Sequence, residues 1–415
     1  MKGRLARAPF AVVPALLLLG GMEGLARLAP APSPSSLVHA DGGDRAILLE
    51  GNPYLGWELK PGSRVEAGGA LVTVNQQRFR GPDRPKKTRA RALALGDSSI
   101  YGFGVADSIV FTGQLEDRSP VDFVNGGVPG YSSFQALNLL ALRGLDLDPD
   151  LLIVGTLWSD NNFDSFVDRE LLLGSDGVNL RYVLSARSGL LNWLEYLALY
   201  QRSSSRFGKV GWMTQTTPAG PRRVPIQDYA ANLARFCEIM AERKGGVLFL
   251  MLPNREDLSP TVSAPPWTPY REVMRQTATA CGAPLLDLPA LFSASGASPS
   301  QMFMDEMHPN INGHTLIAQQ LQALLTSLSW PARPITVHAP AAPVEVADTF
   351  EGQAEKWFGG ARKSGNSPSG SGGAGPSPGP HPPGPSPSAP APSHTQPPPG
   401  PPPHPTTGPT PPAPL

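Results

Sequence analysis

The sequence predicts an α/β protein: a three-layer α/β/α sandwich around a mainly parallel sheet of about five strands. Three observations predict it. Short apolar runs recur between residues 49 and 330. Stretches with helical apolar spacing alternate with them, and Gly, Pro, Asp or Asn bounds each run. A strand that is apolar on both faces needs cover on both, and strand–helix alternation supplies that cover through its crossovers.

The elements follow in order. Residues 1–29 open with Lys2, Arg4 and Arg7, then an apolar run from Ala8 to Met22 that includes Pro9 and Pro14. Its fifteen residues fall short of the roughly 20 that span a bilayer and suit the apolar core of an export signal. Ala29-Pro30-Ala31 has the small-x-small form of a cleavage site, but Pro32 is a poor context for cleavage. A cleaved signal peptide and an uncleaved membrane anchor therefore stand as alternatives, and both imply an extracytoplasmic protein: secreted, periplasmic or membrane-anchored. No cysteine lies near enough to carry a lipid. Residues 30–48, rich in Pro, Ser and Ala, read as a linker.

Within the domain at 49–330, strands are expected at Ala90–Leu95, Val121–Val124, Leu151–Leu157, Val247–Leu252 and Pro284–Leu288. Helices are expected around Thr112–Glu116, Ser133–Leu145, Gln227–Arg243, Pro269–Ala280 and Gly313–Leu328. An insertion at roughly 161–225 separates the third and fourth strands and carries the apolar stretch Leu190–Tyr200. Packing on the domain is the favoured reading of that stretch; a lid over the cleft is the alternative. Residues 331–363 read as a second linker. From Ser364 to Leu415 the chain has no Lys, Arg, Asp, Glu or aromatic residue. Such a tail cannot bury enough apolar surface to offset its chain entropy and is expected to be disordered, with polyproline character.

Composition excludes some functions. The formal net charge is zero and no basic stripe is present, so nucleic-acid binding has no electrostatic support. The two cysteines, Cys237 and Cys281, form no metal-ligand spacing, and no metal or other cofactor is expected. In an exported chain they form either a disulfide or two buried thiols.

Active sites of parallel sheets lie beyond the carboxyl ends of the strands. After the first strand stands Gly96-Asp97-Ser98, with the serine opening a helix whose N–H groups and dipole suit an anionic intermediate. After the second comes Asn125-Gly126-Gly127-Val128-Pro129-Gly130-Tyr131, where a glycine lets the backbone approach a substrate. After the third comes Trp158-Ser159-Asp160-Asn161-Asn162, and after the fifth comes Asp305-Glu306-Met307-His308. A carboxylate three residues from an imidazole is the arrangement that activates a serine.

In this order the elements resemble the SGNH (GDSL-like) hydrolase superfamily over about residues 50–328. Gly96-Asp97-Ser98 resembles its nucleophile block, Gly130 matches its second-block glycine, and Asp305-x-x-His308 resembles its last block. Upstream, Pro53-Tyr54-Leu55-Gly56-Trp57, Pro61-Gly62, Val74-Asn75 and Phe79-Arg80-Gly81 look like extracytoplasmic bacterial members. The resemblance implies a flavodoxin-like sheet and a Ser98–His308–Asp305 triad, with Ser98 and Gly130 as oxyanion donors. One position departs from the pattern. The third block normally reads G-x-N-D, and here it is Leu157-Trp158-Ser159-Asp160. Ser159 thus stands where the third oxyanion donor, an asparagine, is expected, and Asn161 or Asn162 is the fallback. Asp97 is expected to be structural, and His314 to serve the start of the last helix.

The expected reaction is hydrolysis of a carboxylic ester, with O-acetyl groups on glycans among the candidate substrates. Two alternatives stay open: acyl transfer by the same triad, and a non-catalytic envelope- or carbohydrate-binding module. Oligomeric state is not legible.

Overall fold

A computed structural model describes residues 8–29, 48–52, 54–67, 70–163, 167–172, 188–194, 197–198, 221–261, 265–342 and 344. The expected tail at 364–415 lies outside the described residues, as do most of the two linkers and much of the insertion.

The five expected strands form one sheet. In chain order after two N-terminal hairpins they are β5 (Arg91–Gly96), β6 (Asp122–Gly127), β7 (Leu151–Gly155), β8 (Gly246–Met251) and β9 (Leu285–Asp287). The sheet order is β6-β5-β7-β8-β9, and every neighbouring pair is parallel. All residues of β5, β6, β7 and β8 are buried, which is why these strands read as largely apolar runs, with Arg91 and Asp122 paired at the buried start of β5 and β6. The chain leaves β5 first to one side and then to the other. The carboxyl end of β5 is therefore the switch point where such sheets open a crevice.

Helices cover both faces. The helix following β5, Phe111–Arg118, packs with the last helix, Ile311–Ser327. On the other face, Ser133–Leu142, Ile226–Glu242 and Thr268–Cys281 pack as a second layer. Helix Ser133–Leu142 begins with a capping box in which Ser132 and Gln135 exchange bonds with each other's backbone.

Two hairpins precede the sheet, and apolar patterning did not foretell them: β1 (Leu49–Asn52) with β2 (Gly56–Leu59), and β3 (Arg64–Ala67) with β4 (Ala70–Thr73). Four-residue strands are too short to show a period. The third strand is also shorter than expected. It stops at Gly155, and Leu157 is already the cap of the helical turn Trp158–Asn161.

Cys237 and Cys281 are both buried free thiols, and each lies within hydrogen-bond reach of the other. The contact with Cys281, together with burial, pushes the Cys237 thiol well up, so Cys237 is a poor nucleophile.

Candidate active site

Three glycines stand in register across the sheet end: Gly127 and Gly155 flank Gly96. A Cβ on Gly96 would lie 1.9 Å from the Gly155 carbonyl oxygen, and one on Gly127 would lie 2.2 Å from the Tyr101 nitrogen. Bare backbone at the sheet end thus lets the short helix α2, Ser98–Tyr101, settle directly onto it.

Ser98 is the first residue of α2, and Asp97 caps it. The Asp97 side chain accepts from Ser99 N at 2.9 Å and from Trp158 N at 3.2 Å. One carboxylate thereby ties the Ser98 turn to the turn after β7. Asp97 is fully buried, and burial pushes it up to about 6 against those hydrogen bonds. At the other end of α2, the buried Arg80 guanidinium donates to the carbonyls of Tyr101, Gly102 and Val105, and its Nε bonds Asp107 at 2.7 Å. The Tyr101 and Gly102 carbonyls stand at the C-terminal end of α2, where a cation suits them, and Val105 O lies in the loop beyond.

Asp305 and His308 reach the same point from the far end of the chain. His308 Nε2 is 2.7 Å from Ser98 Oγ, and His308 Nδ1 is 2.6 Å from Asp305 Oδ2. Asp305 Oδ1 also accepts the backbone N–H of Met307 at 3.0 Å and of His308 at 2.8 Å. The carboxylate therefore shapes the loop that carries its partner. Burial raises the Asp305 carboxyl, but the bonds from His308 and the two amides outweigh it and hold it below its ordinary range. Ser99 Oγ donates to Met307 O at 3.3 Å, pinning this loop to α2. The Phe103 ring lies 4.8 Å from the imidazole and backs it.

Gly130 sits with φ +80° in the turn after β6. Among the described residues, neither its N–H nor that of Ser98 has a hydrogen-bond acceptor. Both peptide planes flanking Gly130 are held through their carbonyls. The Trp57 indole N–H donates to Pro129 O at 3.0 Å, and Arg223 Nη1 donates to Gly130 O at 2.8 Å. A trans peptide points its N–H opposite its C=O, so Trp57 fixes where the Gly130 N–H aims. Arg223 is buried and paired with Asp168 through two bonds of 3.0 and 2.9 Å, and it also donates to Gln135 at 2.7 Å. Asp168 in turn accepts from the Ser132 hydroxyl. Sequence reading missed the Arg223–Asp168 pair, which lies in the insertion without any motif.

Ser159 is buried in the turn Trp158–Asn161, and its hydroxyl makes no hydrogen bond among the described residues. Asn161 is otherwise engaged: its side-chain oxygen and its backbone carbonyl both accept from Arg222. Asp160 accepts from Ser133 N at 2.8 Å, is fully buried, and is pushed up to about 7, chiefly by burial.

His314 does not serve the helix start, as expected above. Asn310 caps that helix, while His314 is buried and stacked on Phe111 at 6.2 Å. Neither ring nitrogen has a partner among the described residues. Burial pushes its pKa down from 6.5 to about 3, with Arg80 and His308 adding to the effect. The unfolded chain therefore binds a proton that the folded chain refuses between those values. The contribution of His314 to stability is complete above 6.5 and is lost as pH falls toward 3. His314→Leu is expected to flatten the loss of stability between pH 7 and pH 4. Urea midpoints at both pH values check it, and a variant with the wild-type pH slope would refute it.

Among the described residues no cluster of His, Cys, Asp or Glu is arranged to hold a metal ion. No family model matches the chain, and no curated protein does. Solved structures similar to it include an α/β-hydrolase enzyme from the metagenome of Lake Arreo, Spain, at 17% identity and a TM-score of 0.39, covering 59% of this chain and 99% of that one. An acetylxylan esterase from Geobacillus stearothermophilus is similar at 14% identity and a TM-score of 0.38, covering 58% and 95%. A lipase/acylhydrolase from Enterococcus faecalis is similar at 13% identity and a TM-score of 0.38, covering 61% and 100%.

Proposed function

We propose that the chain is a serine esterase that hydrolyses carboxylic esters through Ser98, His308 and Asp305. The observation that carries this reading is the continuous relay from Ser98 Oγ through the two imidazole nitrogens to the Asp305 carboxylate, at 2.7 and 2.6 Å. His308 Nε2 takes the Ser98 proton as the hydroxyl attacks the ester carbonyl. Asp305 fixes the tautomer through Nδ1–H and stabilises the imidazolium. The open N–H groups of Ser98 and Gly130 receive the oxyanion. His308 then protonates the leaving alcohol, and water, deprotonated by the same imidazole, releases the acid.

A fluorophosphonate probe tests the reading: labelling at Ser98 supports it, and a folded wild-type chain that resists the probe overturns it. O-acetylated glycans lead the substrate panel, with simple acyl esters beside them. The basic flank of Lys2, Arg4 and Arg7 before an apolar run favours a domain outside the cytoplasm.

Ser159 is the third oxyanion donor in this reading, since it holds the asparagine's place in the block and its buried hydroxyl has no other partner among the described residues. Ser159→Ala is expected to cost about 2.7–4 kcal/mol of transition-state stabilisation. It should appear in kcat with little change in KM, because the bond forms mainly in the transition state. Steady-state kinetics check it, and unchanged kcat would remove Ser159 from the mechanism.

A further inference from the structure

Exposed apolar side chains are concentrated in one part of this protein. Among the described residues fourteen large apolar side chains are exposed; nine lie on helix α1, Ala8–Leu28, and three more are Leu191, Leu194 and Leu197 in the insertion. A run of exposed apolar residues on this scale marks an interaction surface rather than ordinary surface scatter.

The two segments are joined. The Glu23 carboxylate of α1 accepts from the Ser188 hydroxyl at 2.7 Å, Gly189 N at 3.0 Å and Leu190 N at 3.1 Å. Those are orphan donors at the start of the helical turns at 189–194, where the segment's own Ser188 hydroxyl accepts only from Leu191 N at 3.2 Å, so α1 completes the cap. The Trp193 indole donates to Ala29 O at 2.7 Å, closing the contact at the C-terminal end of α1. Backbone meets backbone between these anchors: a Cβ on Gly189 would lie 3.0 Å from Arg27 N. Polar demands are thus met on the inner side of the pair, and the leucines face outward.

Charge and length say what covers this face. Lys2, Arg4 and Arg7 precede α1, whose 21 residues reach about 31 Å at 1.5 Å per residue and carry no charge before Glu23. No helix of the described residues is long and apolar enough to cross a membrane. A helix this apolar, joined through Glu23 to a second segment of outward-facing leucines and preceded by cations, suits an anionic bilayer, whose acyl boundary both can enter.

We propose that α1 and the insertion segment at 188–198 form one lipid-seated element of the mature protein, docking the enzyme on an anionic bilayer, and that α1 is retained rather than cleaved off. Cleavage after Ala31 would remove both Glu23 and Ala29 and leave the insertion leucines without their partner.

The test uses the full chain expressed with its N-terminus, purified in mild detergent and mixed with phosphatidylcholine–phosphatidylglycerol vesicles. Intact mass is expected to show α1 present; a mature chain starting after Ala31 overturns the proposal. The variant Leu191→Ser/Leu194→Ser/Leu197→Ser is expected to partition on the order of 10-fold less well, judged by the apolar area removed from contact. Its hydrolysis of a soluble ester should match wild type, which also verifies folding. Wild-type partitioning by this variant overturns the joint surface. Trp193 supplies a second readout: lipids brominated on their acyl chains should quench its emission, and Trp193→Phe should lose that part of the quenching. Quenching equal in both proteins overturns the placement of the insertion at the bilayer. Self-association in lipid-free buffer, abolished by the leucine variant and without vesicle binding, would make the surface a contact between copies and overturn the lipid assignment.

Discussion

Ser98→Ala is expected to abolish fluorophosphonate labelling and to lower kcat for ester hydrolysis on the order of 10⁴-fold or more, with the fold intact. The size of the effect follows from the geometry. In the proposed mechanism Ser98, His308 and Asp305 act as one relay, so removal of the nucleophile leaves the imidazole with no proton to take and the oxyanion donors with no covalent adduct to hold. Stability should barely change. Ser98 begins a turn whose cap is Asp97 and whose far end is held by Arg80, and neither depends on the Ser98 hydroxyl. Thermal unfolding beside ester kinetics and probe labelling checks both halves. A folded Ser98→Ala protein that turns over esters undiminished would end the mechanism.

The second large effect falls on stability. Arg223 and Asp168 form an ion pair with both side chains almost wholly removed from water. Charge burial costs several kcal/mol per ion, and the pair tolerates it only because each hydrogen bond is met: Arg223 reaches Asp168, Gln135 and Gly130 O, and Asp168 also takes Ser132. Arg223→Met leaves a carboxylate buried without its cation and is expected to destabilise the fold by about 3–5 kcal/mol. In a domain of this size each kcal/mol lowers the midpoint by roughly 2–4 °C. Asp168→Leu combined with Arg223→Met should recover a good part of the loss, because no lone charge remains. Calorimetry on the two single variants and the double variant closes the cycle. Additive losses would show that the pair is not the unit described. The double variant should still have lowered kcat, since Gly130 O has lost the donor that steadies its turn.

Much of the fold was legible because β5 to β8 are buried on both faces, and such strands show themselves as short apolar runs without a two-residue period. Asp305 and His308 were legible as a pair because their contact is local, three residues apart, and Ser98 because a strand end followed by a helix start is itself a local pattern. Trp57, Arg80 and Arg223 were not assigned roles, for one common reason. Their partners lie 72, 21–27 and 55–93 residues away, and no spacing rule links such positions. The His314 expectation failed because helix position alone does not say which face turns inward; its ring went to Phe111. Glu23 reads as an isolated charge closing an apolar run, and its use as a cap appears only when residues 188–190 are brought to it.

The bond from His308 to Ser98 closes across 210 positions of chain. Synthesis runs from the N-terminus at about 5–20 residues per second, so the nucleophile exists for roughly ten to forty seconds before its base has been made. During that interval β5, β6 and β7, the three strands that form the floor of the crevice, are already available to pair. On the proposed mechanism Ser98 at that stage is an ordinary alcohol with nothing to deprotonate it. The last helix and the loop before it therefore act as an arming step: reactivity is withheld until the domain is complete. A nascent or proteolytically shortened chain that ends before the Asp305–His308 loop is therefore expected to leave the esters around it intact.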